Sequence, residues 1–295
     1  MIKCYNIKTI ETEKLKMKKA IKVLSLILAV VMTVLCFASC SGKTDDETKA
    51  DASKADASNA SSEASDLAYV KEKGKLVVGI TDFEPMDYQN ENKEWIGFDA
   101  DMAKAFAQSL GVDVEFVEID WDNKVMELKS KTIDCVWNGM TLTDEVKSSM
   151  ACSNAYCNNA QIVIVPKDKA DQYQTAEACK ELNFAVEAGS AGKNEAEANG
   201  FNYTEVKDQA TALAEVAAGT CDAAIIDSLM AAAMVGEGTG YSQLAYTAKL
   251  NSEEYGVGFR QGSDLAAKLN EFFAANTELM NTTAETYKVQ AMLIK

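Results

Sequence analysis

Two stretches of the chain repeat one pattern, and this repeat constrains the fold more than any other feature of the sequence. Residues 114–140 read VEFVEIDWDNKVMELKSKTIDCVWNGM, and residues 203–229 read YTEVKDQATALAEVAAGTCDAAIIDSL. Each stretch runs through a strand, a helix, a tight turn and a second strand in which an Asp precedes apolar residues. A repeated strand–helix–strand unit predicts two similar lobes.

The pattern of alternating strands and helices continues through the rest of the chain after residue 69, which predicts an α/β fold. Strands are predicted at 75–80, 113–119, 133–137, 161–165, 184–187, 203–206, 221–227 and 255–259. Helices are predicted from residue 98 to Gly111, at 122–131, from Ser190, at 208–218, and twice more near the end of the chain.

The polar ends of two predicted strands point to a binding site. The sequence Asn138-Gly139-Met140-Thr141 ends one strand and Asp227-Ser228 ends another. In open α/β sheets, ligands bind beyond the carboxyl ends of the strands. If each lobe presents one such end to the other, the two ends form a cleft that holds a small molecule.

The first forty residues are typical of a bacterial export signal, predicted over 1–39, with Met17 as an alternative start. A basic segment precedes an apolar run at 23–38, which is short for a membrane span. Phe37-Ala38-Ser39-Cys40 resembles a lipobox, although its Phe replaces the usual Leu, so Cys40 is predicted to carry lipid. Secretion without lipid is the alternative. Residues 40–68 are rich in Ser, Ala and Asp and predict a disordered tether.

Composition excludes several classes of function. The net charge of −16 argues against binding to nucleic acid. The chain has no His and a single Arg, Arg260, which removes His-based nucleophilic catalysis and His-based metal sites. We therefore expect no metal and no cofactor.

The cysteines that remain after export do not form a recognisable framework, because their number is odd and their spacing irregular. These are Cys135, Cys152, Cys157, Cys179 and Cys221. Cys135 and Cys221 are predicted to be buried free thiols, and a Cys152–Cys157 disulfide stays open as an alternative.

Seven segments, in order, resemble one known family, the bacterial extracellular solute-binding proteins of family 3. They are LVVGITDFEPMDY (76–88), WIGFDADMAKAFAQSLGV (95–112), IDWDNKVMEL (119–128), IDCVWNGMTLTDE (133–145), VEAGSAG (186–192), CDAAIIDS (221–228) and YGVGFRQGSD (255–264). The resemblance implies a type II periplasmic-binding-protein fold, with a sheet and flanking helices in each lobe and a two-segment hinge. Lobe 1 would comprise 69–158 and 254–295, and lobe 2 would comprise 159–253.

The resemblance also implies a function. Members serve ABC importers for amino acids, so the implied partners are a membrane permease, its ATPase and a small amine-bearing solute. The protein would be a monomer held by lipid on the outer face of the cell membrane, and it would not be an enzyme.

Site residues transfer to the positions that match the family's motifs. Phe83 and Trp121 match aromatic rings that sandwich the ligand, with core packing as the alternative. Asn138, Gly139 and Thr141 match a loop that hydrogen-bonds the ligand's main-chain groups, although Thr143 could simply cap a helix there.

Three further positions transfer to the second lobe. Asp227 matches the carboxylate that holds the α-amino group, with helix capping as the alternative. Ser190 and Ala191 match a turn that binds the ligand's carboxylate.

One departure limits the substrate assignment. The family's carboxylate-binding Arg falls at Val146, while Glu187 occupies a position where relatives often carry an apolar residue, and Asp82 and Glu84 flank Phe83. Because burying unpaired carboxylates is costly, we hypothesise that the cleft selects an amine, held by Asp227 and helped by Glu187. In the alternative, the glutamates face solvent and the site binds a neutral amino acid.

Two other functions compete with transport. One is a dehydratase-like enzyme on the same scaffold that uses Glu187 or Glu84 as general acid or base. The other is a sensory binding protein that signals through a separate partner.

Overall fold

The computed structural model describes residues 65–294. The predicted signal peptide, the lipidated Cys40 and the tether up to residue 64 lie outside the described residues. The tether was predicted to end at 68, but a helix already begins at Asp66, where the Ser65 side chain accepts a hydrogen bond from the Ala68 N–H. The folded region therefore starts a few residues earlier than predicted.

The first sheet is built from both ends of the described chain. Its strands are β1 (Lys75–Ile80), β4 (Asp113–Glu118), β5 (Cys135–Thr141), β6 (Ala151–Cys152), β7 (Cys157–Asn159) and β13 (Glu253–Phe259). Their order is β4-β1-β5-β13-β6, and β7 also pairs with β13. Strand β1 is parallel to β4 and β5, whereas β13 is antiparallel to β5.

The second sheet comes from the middle of the chain. Its strands are β8 (Gln161–Pro166), β9 (Asn183–Glu187), β10 (Asn202–Val206), β11 (Ala223–Asp227) and β12 (Leu244–Lys249), in the order β10-β9-β11-β8-β12. Strand β9 is parallel to β10 and β11, and β8 is antiparallel to β11. Both sheets thus share three parallel strands followed by an antiparallel one, and the predicted repeat is confirmed at the level of topology.

Helices flank both sheets. They are α1 (Asp66–Lys73), α2 (Phe98–Leu110), α3 (Lys124–Lys129), α4 (Asp144–Ser149), α5 (Ala191–Asn199), α6 (Gln209–Ala218), α7 (Ser228–Met234), α8 (Leu265–Ala275) and α9 (Thr277–Thr286). A small hairpin pairs β2 (Tyr88–Gln89) with β3 (Trp95–Ile96), and short 3₁₀ turns cover Trp121–Asn123, Lys167–Gln172, Glu177–Cys179 and Gln290–Met292.

Capping residues explain where the main helices begin and end. The side chain of Asp208 accepts a 2.7 Å hydrogen bond from the Thr211 N–H at the start of α6. Gly111 ends α2 with φ 75°, a left-handed conformation in which its N–H bonds back to the last turn. These are the start and stop signals that the sequence carries.

The core lies on the faces of the two sheets. In β1, Val78 and Ile80 pack with Trp137 on one face, while Val77 packs with Ile133 on the other. Residues two apart share a face because side chains alternate along a strand. Burying each such side chain stabilises the fold by about 1.5–3 kcal/mol, so both faces of the sheet need a cover of helices. The predicted α/β class is confirmed.

Two predictions about cysteine need correction. All five cysteines among the described residues are free thiols, so the Cys152–Cys157 disulfide is absent. Cys135 is buried as predicted, but Cys221 is half-buried, because β11 starts two residues later, at Ala223.

The polar segment 138–141 is also different from the prediction. It is not a loop but the end of strand β5, because β13 pairs alongside it at Thr141 and Met140. A register shift in β13 between Gly256 and Gly258 accommodates Gly139, which has φ 54°. The polar residues are therefore held on a rigid, bulged strand.

The chain crosses between the sheets twice, at Ala160 and between Lys249 and Glu253. Within 65–294, no helix has both the length and the apolar character that crossing a bilayer requires.

Candidate functional site

A cavity of about 240 Å³ lies between the two sheets, at the ends of their parallel strands. All nine predicted ligand-binding residues line it, namely Phe83, Trp121, Asn138, Gly139, Thr141, Glu187, Ser190, Ala191 and Asp227. Pockets for drug-sized ligands have volumes of about 300 Å³ or more, and this cavity is smaller, so it suits a small solute. Contact of these residues with a ligand stays a prediction.

Asp227 ends the buried strand β11 and is 4% exposed. Its Oδ1 accepts hydrogen bonds from the side-chain amides of Asn159 and, at 2.7 Å, of Gln161, while Oδ2 accepts one from Gln209. It makes no capping bond to the helix that follows. The alternative that Asp227 is a helix cap is therefore wrong, and three amide donors hold its carboxylate at the cavity wall.

Glu187 ends the neighbouring strand β9 and is 3% exposed. Its Oε1 is buried and has no hydrogen-bond partner among the described residues. Burial, and next the charge of Asp227, raise the pKa of Glu187 to about 8. Burial and the charge of Glu253 likewise raise the pKa of Asp227, against the stabilising bond from Gln209. The cavity therefore holds two carboxyl groups that gain from a positive neighbour.

The acidic residues beside Phe83 take no part in the cavity. Asp82 is exposed and Glu84 is half-buried, and neither lines the cavity wall. The alternative that both glutamates face solvent is therefore wrong for Glu187, which is buried at the cavity wall, whereas Glu84 is half-buried outside it.

Phe83 and Trp121 both line the cavity and pack in the core. Phe83 is buried and meets Tyr255 edge-on, with 6.4 Å between ring centroids. Trp121 is buried in the same core cluster as Leu128 and Val146. Core packing is therefore confirmed for both aromatic residues, and their contact with a ligand stays a prediction.

The amide of Asn138 is fully committed within its own lobe. Its Nδ2 donates to the Thr81 carbonyl at 3.0 Å and to Asp87 at 2.8 Å, and its Oδ1 accepts from the N–H and hydroxyl of Thr81. Because an amide has only two N–H donors, none remains for a ligand. Asn138 supports the cavity wall, and its predicted hydrogen bond to a ligand cannot come from this side-chain donor.

Gly139 and Thr141 are similarly engaged. The Gly139 N–H donates to Asp99 at 2.6 Å, and the Thr141 hydroxyl donates to Glu253 at 2.9 Å. The Thr141 oxygen can still accept a hydrogen bond. This wall of the cavity thus offers acceptors rather than donors.

Two buried carboxyl groups behind this wall were missed in the sequence. Asp87 and Asp99 are fully buried, and Asp99 also accepts the hydroxyl of Tyr156. Burial raises the pKa of each of them. Asp99 lies in the GFD segment that opens a helix, which in the sequence was read only as a helix start, so nothing marked it as a support for Gly139.

The second lobe offers hydrogen-bond donors. Ser190 caps helix α5, and its Oγ accepts from the Lys193 N–H at 3.2 Å, which leaves its hydroxyl hydrogen free to donate. Ala191 is the first residue of the helix. The first N–H groups of a helix lack partners within the helix and favour negative charge.

The single Arg of the chain does not line the cavity. Arg260 binds Asp66 at 3.0 Å, Asp134 at 3.2 Å and the carbonyl of Ile133 at 2.7 Å. Val146, the position of the family's Arg, lines the cavity with an apolar side chain. The cations that do line the cavity are Lys124 and Lys193, neither of which was predicted from the sequence.

Gly189 provides a test of closure between the lobes. It has φ +66°, and a Cβ at this position would lie 2.6 Å from Oδ1 and 2.8 Å from Cα of Asp122, on the opposite lobe. We expect Gly189→Ala to lower ligand affinity by about tenfold or more, because the clash opposes the closed form. Isothermal titration with the tightest-binding amine measures this loss.

Gly219→Ala is the matched control for that substitution. Gly219 has φ +77°, so the backbone strain is similar, but a Cβ there meets nothing within 4 Å. Both variants should lose similar stability, about 1–2 kcal/mol for a left-handed Ala. Equal affinities in the two variants would contradict closure at this contact.

Comparison with known proteins agrees with the geometry. The family model for bacterial extracellular solute-binding proteins, family 3, matches residues 76–288. The chain is 28% identical to an arginine-binding extracellular protein of Bacillus subtilis, over 68% of this chain and 79% of that protein. It is 30% identical to an L-cystine-binding protein of Escherichia coli, over 70% and 79% of the two chains.

Similarity extends to solved structures. The crystal structure of an ancestral amino acid-binding protein, described as a precursor of cyclohexadienyl dehydratase, has a TM-score of 0.69 and 29% identity. That comparison covers 76% of this chain and 99% of the ancestral protein. From the paired sheets, the cavity between them and a family match that spans most of the sequence, we conclude that this chain belongs to the bacterial extracellular solute-binding proteins of family 3.

Proposed function

We propose that this protein is the substrate-binding lipoprotein of an ABC importer and that it carries an amino acid or a related amine. In this proposal Cys40 holds it by lipid at the outer face of the cell membrane, as a monomer. Lobe 1 (69–158 and 254–295) and lobe 2 (159–253) close on the ligand, and the closed form delivers it to the permease and its ATPase.

One observation carries the choice of ligand: Glu187 and Asp227 are both buried at the wall of one cavity, and one Glu187 oxygen has no hydrogen-bond partner among residues 65–294. A buried carboxylate is costly unless it is paired or hydrogen-bonded. A protonated amine supplies both the charge and the donors. The ligands named for the relatives, arginine and L-cystine, both carry amino groups.

Closure follows from the same charges. A ligand shifts the balance between open and closed forms only as far as it prefers the closed one. Carboxylates from lobe 2 and the aromatic wall of lobe 1 must act on the ligand together, which they can do only when the lobes meet.

A dehydratase-like enzyme is the second candidate. The raised pKa of Glu187 suits a general acid or base, and one similar structure is described as a precursor of a dehydratase. Incubation of the purified protein with bound amino acids, followed by mass spectrometry, separates the two. Release of unchanged ligand supports a transport receptor, and turnover to product supports the enzyme. A sensory role would require a separate signalling partner.

Native mass spectrometry of freshly purified protein, after exchange against each of a panel of amino acids, polyamines and quaternary amines, tests the proposal. We expect a one-to-one complex with at least one amine. The proposal fails if the protein retains only the acidic amino acids of the panel.

Proton release is a further prediction. With a pKa of about 8, Glu187 is mostly protonated at pH 7 in the absence of ligand, and an amine must displace that proton. Binding should therefore release about one proton from Glu187 at pH 7, and up to about one more from Asp227, whose pKa burial also raises to about 8. Affinity should rise by up to about tenfold per pH unit for each proton released, until about pH 8. Titration calorimetry in phosphate and in Tris, whose ionisation enthalpies differ, counts the protons.

Glu187→Gln is the control, since it keeps the shape and removes the titrating group, and we expect it to release clearly fewer protons. In the absence of ligand, the free energy of unfolding depends on pH in the opposite direction to the affinity. A raised pKa means that the folded state binds more protons between the ordinary value of 4.5 and about 8, so stability falls as pH rises through that range. Equal proton counts in the two proteins would contradict the prediction.

A further inference from the structure

Lys124 is a buried cation at the cavity that the proposed function has not used. It begins helix α3 on the first lobe, it is 9% exposed, and its side chain lines the cavity. Lys is rarely buried to this degree unless it is paired with an opposite charge. The buried ammonium of Lys124 would therefore be stabilised by a negatively charged partner.

No carboxylate among the described residues lies within 4.0 Å of the Lys124 ammonium. Its Nζ donates to two neutral carbonyl groups, that of Trp121 at 3.2 Å and that of Gly189 at 2.9 Å. An ammonium has three N–H donors, so one donor remains, and the positive charge meets two neutral carbonyl groups and the face of the Trp121 ring, whose centroid lies 5.0 Å from Nζ. Burial lowers the pKa of Lys124, and the more distant Glu187 only partly opposes this.

The ammonium lies beside a second positive feature. Its bond to the Gly189 carbonyl places it one residue before Ser190, the N-cap of the nine-residue helix α5. The N–H groups of the first helical turn and the hydroxyl of Ser190 lie at this same N-terminal end of the helix, where they can donate hydrogen bonds to an anion. Lys124 from lobe 1 and this helix end from lobe 2 thus form one electropositive corner.

The rest of the cavity has the opposite sign. Glu187 and Asp227 supply carboxyl groups, and Val146 supplies no donor at the position of the family's Arg. A ligand with only an amine would satisfy the acidic side and leave the Lys124 charge buried without a partner. A ligand with both an ammonium and a carboxylate would satisfy both sides.

We infer that Lys124 binds the ligand's carboxylate beside the first turn of helix α5, and that this contact makes the site prefer an amino acid over the amine that lacks the carboxylate. This inference rests on the proposed function, because it names the chemical class of the solute that fills the same cavity. Lys124 takes over the charge that Arg supplies in relatives, but as a compact point charge from a different element.

Pairs of ligands that differ only by the carboxylate test the inference. L-arginine and agmatine, L-lysine and cadaverine, and L-histidine and histamine are titrated by calorimetry into the wild-type protein and into Lys124→Met. We expect the wild type to prefer the amino acid in the pair that binds by roughly ten- to hundredfold, the contribution of a charged hydrogen bond. Lys124→Met should abolish most of that preference. Because the bond to the Gly189 carbonyl across the lobes is also lost, the affinity for the amine can fall as well, but the affinity for the amino acid should fall by roughly ten- to hundredfold more.

Lys193→Met is the matched control. Lys193 also lines the cavity, but it pairs with Glu205 at 2.8 Å, so its loss should leave the preference intact. Thermal unfolding verifies that each variant is folded, and Lys124→Gln replaces Lys124→Met if the latter does not fold.

The possible outcomes distinguish the role of Lys124 from the recognition of the amine. If Lys124 only joins the lobes through Gly189, the substitution will weaken amino acid and amine equally, and the inference is overturned. If the wild type binds each amine as tightly as its amino acid, the inference is overturned while amine recognition stands. If the wild type binds none of the six molecules, the inference fails, and the proposed function is then decided by the wider mass-spectrometric panel.

Discussion

Replacing Asp227 by Asn should weaken binding of the tightest amine by about 1.5–3 kcal/mol, which corresponds to roughly ten- to hundredfold in Kd. The substitution removes the negative charge that we propose for the ligand's amine. It also introduces an NH₂ group among the amides of Asn159, Gln161 and Gln209, all of which donate to Asp227. One donor must then face another donor, so stability should also fall, by about 1–3 kcal/mol.

Titration calorimetry measures the affinity, and urea unfolding measures the free energy of unfolding of the same preparation. Asp171→Asn is the control, because Asp171 is exposed and makes the same change of charge away from the cavity. Its affinity and stability should match the wild type within error. Wild-type affinity in Asp227→Asn would remove Asp227 from the binding site.

The largest effect on stability is expected at Arg260. Its side chain is 9% exposed and joins Asp66 to Asp134, and it also donates to the carbonyl of Ile133. Arg260→Leu leaves buried carboxylates with too few partners, although Lys73 still contacts Asp134. Removing one partner of a buried ion pair typically costs about 3–5 kcal/mol, and we expect a loss of this order.

Urea unfolding followed by circular dichroism measures this loss. Lys268→Leu is the control, because Lys268 forms an exposed pair with Glu271 and such pairs are worth about 0–1 kcal/mol. Ligand affinity should change little in Arg260→Leu where the protein remains folded. A loss in Arg260→Leu no larger than in the control would contradict the assignment of Arg260 to the structural network.

Much of the fold could be predicted from periodicity. Strand β1 was predicted at its observed bounds, and helix α2 was predicted to end at Gly111, because apolar spacing and a left-handed Gly are strong local signals. The repeat of 114–140 and 203–229 predicted two similar lobes, and the two sheets share the order of their first four strands.

The elements that were missed have weak local signals. The hairpin of β2 and β3 has two-residue strands, and β12 (Leu244–Lys249) owes its place to pairing with β8. Strand β5 extends through Asn138 to Thr141 because β13, more than a hundred residues later in the sequence, pairs with it. Such long-range pairing cannot be read from local polarity.

For the candidate site as well, the sequence predicted which residues take part but not the contacts that they make over long range. The nine residues predicted from the family resemblance all line one cavity. The sequence could not show which of their polar groups already have hydrogen-bond partners within the protein. The Asn138 amide donates both of its N–H groups, to Thr81 and Asp87, whereas one buried Glu187 oxygen has no hydrogen-bond partner in the part of the chain that the structure describes. Lys124 was overlooked because its burial depends on the approach of Gly189 from the other lobe.

The sign of the ligand's charge is the most direct test of a cleft with two buried carboxyl groups. Titration calorimetry of the wild-type protein at pH 7.5 should compare L-arginine, L-glutamine and L-glutamate under identical conditions. The acidic wall predicts that L-glutamate binds most weakly, by at least tenfold relative to the best of the other two. Tighter binding of L-glutamate than of either other amino acid would contradict the account.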